Sequence, residues 1–176
     1  MTNDVLKKYN LTKNAYFFVT SHRASNEKNP AQLYEILKAL QILNTPTIFP
    51  AHPRTKKIVE ENNFKHLINP EILQFIEPIG FFETQTLIAN AKMVLTDSGG
   101  VTKESYFHQK RCVILQEQIE WLEIVDEGWA KCCAPQSERI VEAATNFDAP
   151  KNYGAQLGNG NAAEIIINAI KKFFEA

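Results

Sequence analysis

The sequence contains few cysteines and no long apolar run. Its three cysteines, at positions 112, 132 and 133, form neither an even-numbered set nor a CxxC pair, which argues against a disulfide framework or a zinc module. No stretch approaches the roughly 20 apolar residues of a membrane helix, and the first ten residues, MTNDVLKKYN, lack an apolar signal core. We therefore expect a cytoplasmic protein without a membrane segment, whose three thiols are buried.

An excess of charge of either sign is also missing. The 176 residues include 19 basic and 20 acidic side chains, for a formal net charge of -1, and these charges are dispersed along the chain. This balance favours neither a nucleic-acid surface nor an anionic membrane as a partner. With 44% hydrophobic residues, the composition is that of an ordinary globular protein, and the length suits one domain.

Short apolar segments alternate with segments of helical periodicity from one end of the chain to the other. The predicted strands are residues 16–20, 47–50, 73–76, 93–96, 112–115 and 131–133. The predicted helices are residues 30–43, 54–62, 84–91, 101–108, 121–126, 138–146 and 162–174. No two strands are joined by a two-residue hairpin, so the pattern predicts an α/β fold, a single Rossmann-like domain with a parallel sheet and helices on both faces.

Polar residues of an unusual kind follow these strands. In open parallel sheets, ligands bind where the strands end and the next helices begin. The residues at these points are Ser21-His22-Arg23, His52-Pro53-Arg54, Asp97-Ser98-Gly99-Gly100 and Gln116-Glu117. Each could be a solvated loop residue when taken alone. Their concentration at one edge of one sheet favours a binding site.

The glycine pair permits two interpretations. Glycine allows close approach of the backbone to a ligand and turn angles closed to other residues. Ser98 could cap the next helix or donate to a phosphate oxygen, while the amides of Gly99, Gly100 and Val101 face the ligand. Glu104, one turn later, could accept from ribose hydroxyls. The alternative is a capped helix with a glycine turn, and the spacing matches neither GxGxxG nor a phosphate loop ending in GK[ST].

Five segments together resemble a known family. They are "FFVTSHRASN", "FPAHPRTKK", "IEPIGFFETQTLIANAKMVLTDSGGVTKES", "EWLEIVDEGW" and "NYGAQLGNGNAAEIIINAI". Their order and spacing are similar to those of the C-terminal domain of UDP-N-acetylglucosamine 2-epimerases. The resemblance covers nearly the whole chain.

The resemblance implies a function and an architecture. Such epimerases have two Rossmann-like domains facing a cleft, as in the GT-B architecture, and invert carbon 2 of a UDP-linked N-acetylhexosamine by eliminating UDP and adding it back. They use neither a metal nor a nicotinamide cofactor. Residues 1–176 would then be the C-terminal UDP-binding domain, with the N-terminal domain absent. The implied partners are UDP or a UDP-N-acetylhexosamine, the missing domain and, as in the family generally, a second copy in a homodimer.

The resemblance also assigns roles to individual residues. His22 would act in catalysis by reaching the substrate pyrophosphate. Ser98, Gly99 and Gly100 would hold the diphosphate, Glu104 the ribose, and the turn at 79–81 the uracil. The implied substrate-binding residues are Arg23, His52, Ser98, Gly99, Gly100 and Glu104.

The sequence departs from the family pattern at several positions. Ser25 replaces a glutamate, Thr84 an aromatic residue, and Gln116 and Trp121 arginines that many members carry. These changes leave the sugar open, including a diacetamido uronic acid. The acid-base carboxylates would lie in the absent domain, and Asp97 is expected to orient its loop instead. A UDP-sugar binding module without turnover and the donor-binding domain of a glycosyltransferase remain alternatives.

Overall fold

A parallel sheet of six strands forms the centre of the computed structural model, which describes residues 2–22, 29–118 and 120–174. The strands are β1 Phe17–Thr20, β2 Thr47–Pro50, β3 Leu73–Ile76, β4 Met93–Thr96, β5 Cys112–Ile114 and β6 Ala130–Cys132. Their order is β3-β2-β1-β4-β5-β6, and every neighbouring pair is parallel. The predicted Rossmann-like fold class is confirmed.

Helices connect successive strands. They are α1 Thr2–Lys8, α2 Pro30–Leu43, α3 Pro53–Glu61, α4 Phe81–Asn90, α5 Gly99–Phe107, α6 Leu122–Asp126, α7 Ser137–Thr145 and α8 Ala162–Phe174, with a 3₁₀ turn at Phe64–Leu67. The bounds of α8 are those predicted. Helix α4 begins three residues before the predicted start, because Gly80 ends the extended segment and serves as its N-cap. Helix α1 and the 3₁₀ turn were not predicted.

The core lies on both faces of the sheet, as the alternation of side chains along the strands requires. In β1, Phe17 and Val19 pack in a cluster with residues of α2, α3 and α7. Phe18 lies in the opposite cluster, with residues of α1, α4, α5 and α6.

Helix α8 stands apart from this core. None of its residues is buried, and its isoleucines and phenylalanines are exposed. The helices in the described part of the chain are all too short or too polar to cross a membrane.

The strand order reverses between β1 and β4. From β1 the chain moves outward to β2 and β3, and then returns to place β4 on the other side of β1. Such a reversal opens a crevice at the carboxyl ends of the two central strands, the usual ligand position in this fold class. Here the terminal residues are Thr20 and Thr96, whose hydroxyl oxygens lie 2.7 Å apart.

The cysteines differ in their surroundings. Cys112 and Cys133 are buried, and burial raises the pKa of each thiol to about 11. Cys132 is half-buried and donates to the carbonyl oxygen of Gln116 at 2.6 Å. The expectation of three buried thiols is wrong for Cys132, because β6 is an edge strand with only β5 beside it.

We expect the native chain to react slowly with Ellman's reagent at pH 8. Thiols with a pKa near 11 are thiolate for roughly one part in a thousand at that pH, and burial also raises the pKa of Cys132. Any early reaction should correspond to at most one thiol, Cys132, and a Cys132→Ser chain should lose it. Guanidinium should release all three. Three fast thiols in the native chain would contradict this placement.

Candidate functional site

Asp97 joins the ends of the two central strands. It follows β4 and is 2% exposed. Its carboxylate accepts from the Ser21 hydroxyl at 3.0 Å and from the His22 amide at 2.9 Å. The distance from His22 Nδ1 to the same carboxylate is 3.9 Å, too long for a hydrogen bond. Asp97 therefore fixes the backbone on which the half-exposed His22 ring stands, which confirms its predicted role in orienting the loop.

His52 stands on the neighbouring strand end. It is the N-cap of α3, and its Nδ1 accepts from the Arg54 amide at 3.2 Å. An Nδ1 that accepts leaves the proton of a neutral imidazole on Nε2, so His52 can donate from that atom. The rings of His22 and His52 are stacked, with centroids 6.3 Å apart. The structure thus brings together the two histidines that the sequence predicted at one edge.

Ser98 caps helix α5. Its hydroxyl accepts from the Val101 amide at 3.4 Å, and its carbonyl accepts from the Thr102 amide at 3.0 Å. Among the described residues no acceptor is recorded for the amides of Gly99 and Gly100, the orphan donors expected in a first helical turn. We call Ser98 and these two glycines the cradle. Its donors and the positive end of the α5 dipole favour an anion.

The two glycines lie inside the helix. Helix α5 begins at Gly99, two residues before the predicted start, and neither glycine has a positive φ. The alternative of a capped helix with a glycine turn is therefore wrong about the turn, which is not formed, although Ser98 does cap the helix. Close approach explains Gly99, because a Cβ there would collide with the Glu120 carboxylate. It does not explain Gly100, where a Cβ would meet the Ser98 hydroxyl at an ordinary 3.6 Å.

Glu104 lies one turn further along α5 and is half-buried. Its carboxylate is close enough to His108 to oppose the lowering of the pKa of that histidine by burial. His108 Nε2 is in turn 2.9 Å from Gln85 Oε1 on α4. Glu104 thus faces the groove between α4 and α5. Its predicted contact with a ribose stays a prediction.

The remaining predictions concern Arg23 and the uracil-binding turn at 79–81. Arg23 lies outside the described residues. In the predicted uracil-binding turn, Ile79 is half-buried, Gly80 caps α4 and Phe81 is 63% exposed.

Two features of the site were missed from sequence. Thr55, in the first turn of α3, donates to the Ser21 carbonyl at 2.7 Å and so ties a third strand end to the site. Glu120 and Trp121 approach Gly99 from the segment before α6. The threonine, placed soon after a strand, was a usable signal. Nothing in the local pattern indicates the second contact.

The parallel sheet, with its reversed strand order and anion-favouring helix start, defines a Rossmann-like α/β domain. The chain belongs to the UDP-N-acetylglucosamine 2-epimerase family, whose model matches residues 1–171. A UDP-N-acetylglucosamine 2-epimerase homolog of Methanococcus maripaludis is 37% identical over 95% of this chain and 47% of its own length. The UDP-2,3-diacetamido-2,3-dideoxy-D-glucuronate 2-epimerase of Pseudomonas aeruginosa is 35% identical over 92% of this chain and 46% of its own length.

A solved structure agrees with these relatives. The UDP-GlcNAc 2-epimerase of Methanocaldococcus jannaschii, in complex with UDP-GlcNAc and UDP, superposes with a TM-score of 0.79 at 30% identity. The match covers 97% of this chain and 52% of that one. The chain therefore spans about half the length of the relatives that it matches.

Proposed function

We propose that this chain is the C-terminal, UDP-binding half of a nucleotide-sugar 2-epimerase that interconverts UDP-N-acetylglucosamine and UDP-N-acetylmannosamine. Family membership and the ligands of the Methanocaldococcus jannaschii structure support this proposal. Turnover would require the other half of the protein.

The cradle at the strand reversal is the observation that carries the proposal. A diphosphate placed there would receive the orphan amides of Gly99 and Gly100, and the Ser98 hydroxyl could donate to it while still accepting from Val101. The α5 dipole would add favourable electrostatics. Glu104 lies about one turn further along the same helix, where its carboxylate oxygens could accept hydrogen bonds from the ribose hydroxyls.

The chemistry then divides between the two halves. Elimination of UDP places negative charge on the departing diphosphate, and a donor at the site of His22 would stabilise that charge in the transition state. Asp97 would keep His22 in place through the backbone hydrogen bond already described. Proton transfer at carbon 2 needs an acid-base side chain close to the sugar, which we assign to the half of the relatives that this chain does not cover.

We expect the isolated chain to bind UDP in titration calorimetry, and to bind CMP and GDP more weakly. Replacing Ser98 or Glu104 by alanine should weaken UDP binding by about 1–3 kcal/mol each, because a buried polar partner is left unpaired. Glu123→Ala is the matched control for Glu104, since Glu123 is an exposed glutamate on α6. Its affinity should equal that of the unaltered chain.

Two results would contradict parts of this proposal. If the chain binds none of the nucleotides, the UDP-binding assignment fails. If it binds UDP and both alanine variants bind equally well, the nucleotide lies elsewhere. The Pseudomonas aeruginosa relative supports a second candidate sugar, a 2,3-diacetamido uronic acid, and tighter binding of that UDP-sugar than of UDP-N-acetylglucosamine would favour it.

A further inference from the structure

Two side chains from a distant segment crowd the start of α5. A Cβ built on Gly99 would collide with the Glu120 carboxylate and would lie 3.1 Å from Trp121 Nε1. Among the described residues, a Cβ built on Gly100 would meet only the Ser98 hydroxyl, at an ordinary 3.6 Å. In this part of the chain Glu120 and Trp121 therefore crowd Gly99 and leave Gly100 uncrowded.

Glu120 places a negative charge where the cradle favours one. Its carboxylate lies against the first residue of α5, the position at which the helix dipole stabilises an anion. The side chain is exposed, so this attraction is modest and can be exchanged for another. A diphosphate at the amides of Gly99 and Gly100 would bring charge of the same sign close to this carboxylate. Two anions so close together would repel each other.

Trp121 presents an unused donor at the same point. Its Nε1 is buried and has no hydrogen-bond partner among the described residues. The Lys103 ammonium, 4.3 Å from the ring centroid, holds the indole against α5. An indole N–H can only donate, and a buried donor without an acceptor is costly. An oxygen-bearing ligand at Gly99 would satisfy it.

We propose that Glu120 and Trp121 set the affinity of the cradle for the diphosphate of its nucleotide. In the chain without nucleotide the Glu120 carboxylate lies beside Gly99, next to the position that a phosphate would take. The incoming diphosphate displaces it and accepts the Trp121 N–H. This inference rests on the proposed function, because it concerns the same site.

The test compares UDP affinities of four variants by titration calorimetry in low salt. Glu120→Gln removes the competing charge and should tighten UDP binding about three- to tenfold, a gain that should shrink in 0.5 M salt. Trp121→Phe keeps the ring and removes the donor, and should weaken binding about five- to tenfold.

The controls remove the same groups at other places. Glu123→Gln takes away an exposed carboxylate on α6. Trp129→Phe takes away a second indole N–H that has no partner among the described residues. Trp129 directly precedes β6 and so lies at the amino ends of the strands, away from the site. Both should bind UDP like the unaltered chain, with circular dichroism confirming the fold of each variant.

The outcomes separate this inference from the proposed function. If the unaltered chain binds UDP and Glu120→Gln binds no tighter than Glu123→Gln, the competition is refuted. If Trp121→Phe binds as well as Trp129→Phe, the donor assignment is refuted. If the unaltered chain and all variants fail to bind UDP, the proposed function is refuted and this inference falls with it.

Discussion

Replacing Asp97 by alanine is expected to lower the free energy of unfolding by about 2–4 kcal/mol, the largest stability effect that we predict in the site. The carboxylate is 2% exposed and accepts from the Ser21 hydroxyl and the His22 amide. Alanine would leave both donors without this acceptor at a buried position, and hydrogen bonds to charged groups are the stronger kind. Urea unfolding followed by circular dichroism measures the change.

Two further variants make this expectation specific. Asp97→Asn keeps one acceptor oxygen and should lose less stability than Asp97→Ala. Asp126→Ala removes an exposed aspartate at the end of α6 and should change stability by less than about 0.5 kcal/mol. Equal stability of Asp97→Ala and Asp126→Ala would mean that the carboxylate does not hold the two strand ends together.

The sheet could be predicted from the sequence because the inner strands are short buried apolar runs. In the segment 93–96, for example, all four residues are buried, so no polar alternation obscures the strand. Helix starts were less predictable. The pattern predicts that α5 begins at Val101, after two glycines, which are poor helix formers. In the folded chain Ser98 caps the helix and α5 begins at Gly99.

The residues of the site also fall into two groups, those that the sequence predicts and those that it does not. His22, His52 and Ser98 could be predicted, because the residue after a parallel strand lies at a known edge of the sheet. The contact of Glu120 and Trp121 with Gly99 joins segments about 20 residues apart in sequence. It depends on how the chain leaves β5, and neither strand nor helix periodicity records that path. Tertiary contacts of this kind are seen only in the folded structure.

Replacing His22 by alanine is expected to reduce turnover about 10²- to 10³-fold in an enzyme that carries both halves, the usual effect of removing one donor to a developing anion. The test protein joins this chain to the half of the Methanococcus maripaludis relative that it does not match, and its turnover without the substitution is the reference. The UDP affinity of the isolated chain should fall by less than about threefold, since a donor used mainly in the transition state contributes little to ground-state binding. Conversion of UDP-N-acetylglucosamine, followed by NMR, measures turnover.

Further substitutions distinguish an effect of His22→Ala on the chemical step from an effect on folding. His22→Gln retains a neutral donor and should recover part of the lost turnover, whereas His66→Ala, at an exposed histidine of the 3₁₀ turn, should leave turnover unchanged. His22→Ala should unfold at nearly the same urea concentration as the unaltered chain, because the ring is half-exposed and Asp97 accepts from the backbone amide, which alanine keeps. Normal turnover in His22→Ala would remove the histidine from the chemistry. An equal loss of turnover and of UDP affinity would instead make His22 a binding residue, because it would then contribute as much to the ground state as to the transition state.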